Sequence, residues 1–178
     1  MKQLTENLKV TYTNTLITRL LILLLIPFFI FQFLATKITL YTAYLLLKIF
    51  GQTFLIDNFI FFNKTIVEFI PACSASLAYY LLFFLIILTK DIKFLKRIKI
   101  FLLGSLIILI VNLIRIIILI LILDNYGIDL FNKIHILIWS FIGSIFVALV
   151  WIFLVRIYNI NSIPIYSDFI YLLKKIKT

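Results

Sequence analysis

Acidic residues are scarce: there are seven Asp and Glu in 178 residues, and none falls inside a long apolar run. A transporter that moves ions on buried carboxylates needs such groups within its spans, and it usually shows an inverted repeat, which this chain lacks. Cysteine occurs once, at Cys73. That excludes an intramolecular disulfide and a thiolate metal cluster, and leaves either an inert packing thiol or a reactive one. Histidine also occurs once, at His135, and no metal or cofactor site is expected. With four Gly and three Pro, the sequence has no low-complexity linker, and residues 1–178 read as a single domain.

What is abundant is apolar. The chain is 65% hydrophobic with a mean hydropathy of +1.22, far beyond what a soluble core needs, so lipid is its main solvent. Charged residues make up 13% and gather between the apolar runs. The net charge of +10 does not point to nucleic acid, because the Lys and Arg flank hydrophobic segments instead of covering a soluble surface.

A hydrocarbon core of about 30 Å takes roughly 20 apolar residues in a helix. Leu16–Leu34, Ile100–Leu123 and His135–Val155 meet that length, and a shorter fourth span, about 74–89, ends on Lys90, Lys93, Lys96, Arg97 and Lys99. The first run has no small-residue cleavage pattern after it and reads as an anchor. Ile38–Phe50 is too short to span, carries Lys48 and stops before Gly51, which predicts an interfacial helix. From Thr53 to Ile70 the residues are β-branched and aromatic, broken at Asp57-Asn58 and Asn63-Lys64. A small hairpin outside the bilayer, packed on the helix ends, is expected there. The fold class is therefore all-α integral membrane, with about four transmembrane helices, one interfacial helix and an extracytoplasmic β-hairpin.

Twelve Lys and Arg lie in the N-terminal segment, the Lys90–Lys99 loop and the tail, against four (Lys37, Lys48, Lys64, Lys133) in the opposite connections. The positive-inside bias then makes the first group cytoplasmic and places Phe50–Ala72 and Asp124–Lys133 outside, on a multi-pass plasma-membrane protein. Ile163–Leu173 is expected to lie flat on the inner surface.

With that topology, Cys73 sits at the outer mouth of the second span, in Ile70-Pro71-Ala72-Cys73-Ser74-Ala75-Ser76. Pro71 suits a first helical turn, which puts Cys73 near a helix N-terminus, where dipole and free N–H groups favour a thiolate. Arg115 stands alone in an apolar run, at a cost of about 2.5–3.5 kcal/mol on the lenient insertion scale, which makes a functional role its default reading. Asn112, three residues earlier on the same face, is expected to orient the guanidinium. His135 lies where the outer loop re-enters the membrane, on the same side as Cys73, with Trp139 one turn later as an interfacial ring.

Ala72-Cys73-Ser74, then Asn112-Leu113-Ile114-Arg115-Ile116, then His135-Ile136-Leu137-Ile138-Trp139 resemble the signature blocks of the archaeosortase/exosortase family, in order and spacing. The resemblance covers roughly residues 40–155 and is to the compact members of the family. It implies a membrane cysteine transpeptidase with Cys73, Arg115 and His135 catalytic, and with Ser74, Asn112 and Trp139 around them. It also implies substrates that are secreted, membrane-anchored proteins ending in a short motif, a hydrophobic helix and a basic tail, with amine, lipid hydroxyl or water as acceptor. The family usually has glycine where this chain has Ala75, so a backbone of positive φ there would meet a Cβ. Two other classes compete: a non-enzymatic assembly or partner subunit in which Arg115 pairs with a neighbour's acid, and a small transporter.

Overall fold

The computed structural model describes residues 18–19, 21, 25–89 and 92–160, excluding the side chains of residues 139–144. Most of the run before Pro27, Lys90 in the basic loop and the 163–173 segment lie outside that description.

Helix α1, Phe28–Leu47, starts after Pro27, whose extended backbone (φ −72°, ψ 152°) cannot continue a helix backward. It runs unbroken to Leu47. This corrects the expected division into a span ending at Leu34 and an interfacial helix from Ile38 to Phe50. Nothing in Ala35-Thr36-Lys37 breaks a helix, and Lys37 and Lys48 are exposed, so each ammonium can extend away from the apolar surface. The Thr36 and Thr42 hydroxyls donate back to the carbonyls of Gln32 and Ile38, which removes their polarity from the helix surface.

The 53–70 segment is a three-stranded antiparallel meander and not a two-stranded hairpin: β1 Thr53–Ile56, β2 Phe59–Phe62 and β3 Thr65–Glu68, in that order. Both polar dipeptides are two-residue turns, and Asp57 (φ 53°) and Asn63 (φ 45°) take the left-handed conformation such turns require, which Asp and Asn tolerate better than most residues. Thr53 faces Phe62 and Leu55 faces Ile60; across the other pairing Ile60 faces Val67. That face packs inward.

A 3-10 turn, Pro71–Ser74, leads through Ala75 (φ 54°, ψ 29°) into α2, Ser76–Leu88. Then come α3, Phe94–Tyr126, and α4, Ile128–Ile157, joined by Gly127 alone at φ 82°. The expected outer loop Asp124–Lys133 is thus the tip of a helical hairpin. Backbone bonding continues through its polar residues until a glycine permits the reversal.

Among the described residues two helices are long and apolar enough to cross a membrane, α1 and α3; α2 and the Ile145–Ile157 part of α4 are apolar but shorter. At 1.5 Å per residue α3 is about 50 Å long, so it exceeds a hydrocarbon core at one or both ends.

Two cores hold the elements together. One joins Ala35 of α1, Leu82 and Ile86 of α2, Ile100 and Ile108 of α3, and Val150 and Leu154 of α4. Gly104 permits the close approach there: a Cβ on it would lie 2.6 Å from Leu82 Cδ2 and 2.8 Å from Leu154 Cδ1. The other core joins the inner sheet face, Ile60 and Phe62, to Leu40, Ala43 and Leu47 of α1 and to Leu113, Ile116 and Ile120 of α3. The sheet therefore lies along the helix flanks, where sequence reading expects it to cap their ends.

Arg97 closes the other end of the bundle. Its guanidinium donates to the carbonyls of Ile86 and Ile87 through Nη1, Thr89 through Nη2 and Ile92 through Nε, at 2.7–3.0 Å. These include last-turn carbonyls of α2 that have no intrahelical partner.

Candidate functional site

Cys73 lies in the 3-10 turn, and its N–H donates to the Ile70 carbonyl at 2.9 Å. Pro71 opens that turn as the sequence predicts, but the α-helix begins only at Ser76, beyond the left-handed Ala75. The thiol therefore does not stand over the first turn of α2, and its environment opposes a thiolate. Burial pushes the Cys73 thiol above its ordinary value, while the Ile70 backbone and the Arg115 charge pull it down by less.

The turn is held from two sides. Ser74, fully buried, donates its hydroxyl to the Pro71 carbonyl at 2.6 Å and lies 3.3 Å from the Thr36 hydroxyl of α1. From α3, Asn112, 5% exposed, donates Nδ2 to the carbonyl of Cys73 at 2.9 Å. Asn112 thus fixes the backbone of the cysteine; the expected role of orienting Arg115 is not what its amide does.

Arg115 is one turn further along α3. Its Nε is buried with no hydrogen-bond partner among the described residues. Arg115 lines the same cavity as Ala72 and Ala75, which flank the Cys73-Ser74 pair, and as Ile138, three residues beyond His135 on α4. His135 is seven residues into α4, its ring 5.3 Å from that of Phe131. Counting along the axes from Gly127, Arg115 lies about 18 Å and His135 about 12 Å from the hairpin tip, so the two sit about 6 Å apart in depth. No hydrogen bond joins Cys73 to His135. The side chain of Trp139 is outside the described residues.

A cavity of about 740 Å³ adjoins these groups. Its walls are apolar apart from Gln32, Ser76, Asn112 and Arg115, and they come from α1, the 3-10 turn, α2, α3 and α4. No residue of the sheet lines it. Ala72 and Ala75 line it, while Cys73 between them packs against the sheet-side core. The arrangement brings Cys73, Ser74 and Asn112 together, with Arg115 one turn from Asn112 in the cavity wall, and among the described residues no hydrogen bond joins His135 to them.

Sequence reading assigned nothing to Gln32. It is the one amide in the run Leu16–Leu34, and a lone amide in an apolar helix is the signal that marks a residue with a polar partner or cavity to face.

No family model, curated protein or solved structure matches the chain.

Proposed function

We propose that this chain is a membrane-embedded cysteine transpeptidase that cleaves the C-terminal sorting signal of membrane-anchored secreted proteins. The observation that carries the reading is the convergence on Arg115. A guanidinium in an apolar helix lines a cavity beside the turn that carries the only cysteine, with Ile138, three residues beyond the only histidine, in the same wall, and those residues come from segments far apart in sequence. A charge so placed needs polar partners, and its Nε has none among the described residues, so an incoming carbonyl oxygen is a fitting one.

In the proposed reaction His135 removes the thiol proton as Cys73 Sγ attacks the scissile carbonyl carbon. Arg115 holds the developing oxyanion, and the peptide C–N bond breaks as His135 returns the proton to the leaving amine. The resulting thioester is resolved by an amine, a lipid hydroxyl or water, whose oxygen or nitrogen takes the acyl group and restores the thiol. Because burial pushes the Cys73 thiol above its ordinary value, proton removal has to accompany attack. The apolar cavity beside the 3-10 turn is suited to the hydrophobic helix of the substrate. Catalysis faces the extracytoplasmic side by the Lys and Arg bias, on a chain that crosses the plasma membrane four times.

The test is C-terminal proteomics on membranes of the host strain with wild type, Cys73→Ala or Arg115→Gln at equal expression. The proposal expects precursors that retain a hydrophobic helix and basic tail to accumulate in both variants. An unchanged C-terminal proteome overturns it. A non-enzymatic partner subunit is the second reading, favoured by one observation: the thiol packs against the sheet-side core with no hydrogen bond to His135. That reading expects Cys73→Ser to keep full function, whereas a transpeptidase loses it.

A further inference from the structure

The meander has two apolar faces, and only one is covered. The register puts Phe54, Ile56, Phe59, Phe61 and Ile66 on the face away from the helices, with Glu68 at its margin. Phe54, Ile56 and Ile66 are 64%, 59% and 62% exposed. A half-solvated antiparallel sheet alternates apolar inside with polar outside. Here the outer face is apolar save for Glu68, opposite Phe59, while the other polar residues lie in the turns, Asp57-Asn58 and Asn63-Lys64, or on the inner face, as Thr53 and Thr65 do.

Three features say what covers this face. The first is depth. The inner face packs on Leu113, Ile116 and Ile120, which lie about 20, 15 and 9 Å from the end of α3 at Tyr126, so the sheet runs beside the apolar stretch of that helix. The second is continuity. Tyr41 and Leu45 of α1 are exposed, and so are Ile49 and Phe50, which lead from the end of that helix into β1 with its exposed Phe54 and Ile56.

The third is size. Three strands of four residues cover about 13 by 14 Å, roughly 180 Å², well short of the ~800 Å² per partner that a stable protein interface buries. A bilayer sets no such minimum, since each apolar side chain gains on entering it alone. The edge strands suit that setting, because β1 lies beside α1 and β3 beside α3.

We propose that the outer face of the sheet is a lipid-contact surface, seated at the headgroup–acyl boundary, so that the meander is a membrane-immersed wall and not an aqueous lid. The inference rests on the reading that α1 and α3 cross a membrane. The turn residues reach the headgroups, and the five apolar side chains enter the upper acyl chains. The nearby ionisable groups are balanced, Lys48 and Lys64 against Asp57 and Glu68, so the contact is apolar and calls for no anionic lipid.

Single-tryptophan quenching of the full chain in phosphatidylcholine nanodiscs tests this. In a Trp139→Phe, Trp151→Phe background, Phe54→Trp and Ile66→Trp report on the sheet, two positions guarding against one misfolded variant. Leu102→Trp, exposed on α3, reports on the helix. The sheet probes are expected to lose more than half their emission to lipid brominated near the headgroup end, and much less to lipid brominated near the chain terminus. Sheet probes left unquenched while Leu102→Trp is quenched overturn the proposal alone. All probes unquenched overturn the membrane reading and this proposal with it. Quenching seen in nanodiscs with one copy but lost in those with two assigns the face to a second copy and also overturns it.

Discussion

Ala75 occupies a conformation its side chain resists, and replacing it measures by how much. At φ 54°, ψ 29° it links the 3-10 turn carrying Cys73 to α2, and its carbonyl already accepts the Ala78 N–H at 2.9 Å. An L-residue pays about 1–2 kcal/mol to hold this region, because Cβ crowds the following carbonyl. Glycine escapes that penalty but loses about 0.5–1 kcal/mol in extra unfolded-state freedom. Ala75→Gly should therefore stabilise the fold by about 0.5–1 kcal/mol. At this chain length that is roughly 1–4 °C in Tm, read by thermal unfolding in detergent micelles. Ala75→Val should go the other way by at least as much, since a β-branched residue fits the left-handed region worse than alanine. A lower Tm for Ala75→Gly, or a neutral Ala75→Val, refutes the left-handed backbone and with it the described approach of the turn to α2.

Asn112→Ala leaves the Cys73 carbonyl unpaired in a buried setting and should cost about 1–3 kcal/mol, with any Cys73-dependent processing falling further than stability alone explains; urea or SDS titration beside a processing assay separates the two. Alkylation of Cys73 by iodoacetamide should still be rising at pH 9, because burial raises the thiol above its ordinary value and the reactive thiolate forms only as pH climbs past it. Arg115→Gln, which removes a charge that lowers it, should shift the profile to still higher pH. A plateau below pH 8 contradicts both. Arg97→Ala should destabilise by about 2 kcal/mol or more by exposing the α2 carbonyls, and Arg97→Lys should restore little, since one ammonium cannot serve four carbonyls in the geometry of a planar fork.

Apolar length alone located the cores of α3 and α4, because a run such as Ile100–Leu123 has few other stable forms. It misjudged their ends: Lys96, Arg97, Asp124 and Asn125 are polar yet helical, since a helix needs bonded backbone and not apolar side chains. The meander was visible as β-rich sequence, and its two turn dipeptides mark three strands in hindsight. Its seat along Leu113–Ile120 was not visible, because periodicity is silent on which helix face a distant sheet chooses. For the site, the bond from Asn112 to the Cys73 carbonyl was not legible, because spacing along α3 points Asn112 to Arg115 and is silent on a partner 39 residues away, while Gln32 was hidden in an apolar run and emerges only when the cavity is assembled around it. The direction of the Cys73 shift was missed because a single left-handed residue separates the thiol from the helix whose dipole had been expected to act on it.

The clasp between Asn63 and Asp124 has a consequence for how the chain is made. Asn63 Nδ2 donates to Asp124 Oδ2 at 2.9 Å across 61 residues, and Asn63 Oδ1 accepts from the Gln52 N–H, so one turn residue ties the base of β1 to the end of α3. During synthesis the meander leaves the ribosome long before α3 does. Until then Ile60 and Phe62 can rest only on α1, with Leu113, Ile116 and Ile120 still to come. Closing so long a loop costs only about 0.6 kcal/mol more than closing one half as long, so the delay is a matter of timing more than of stability. The clasp on the sheet then waits for the arrival of Asp124, and a chain truncated before it should carry a sheet that protease reaches at Asn63-Lys64.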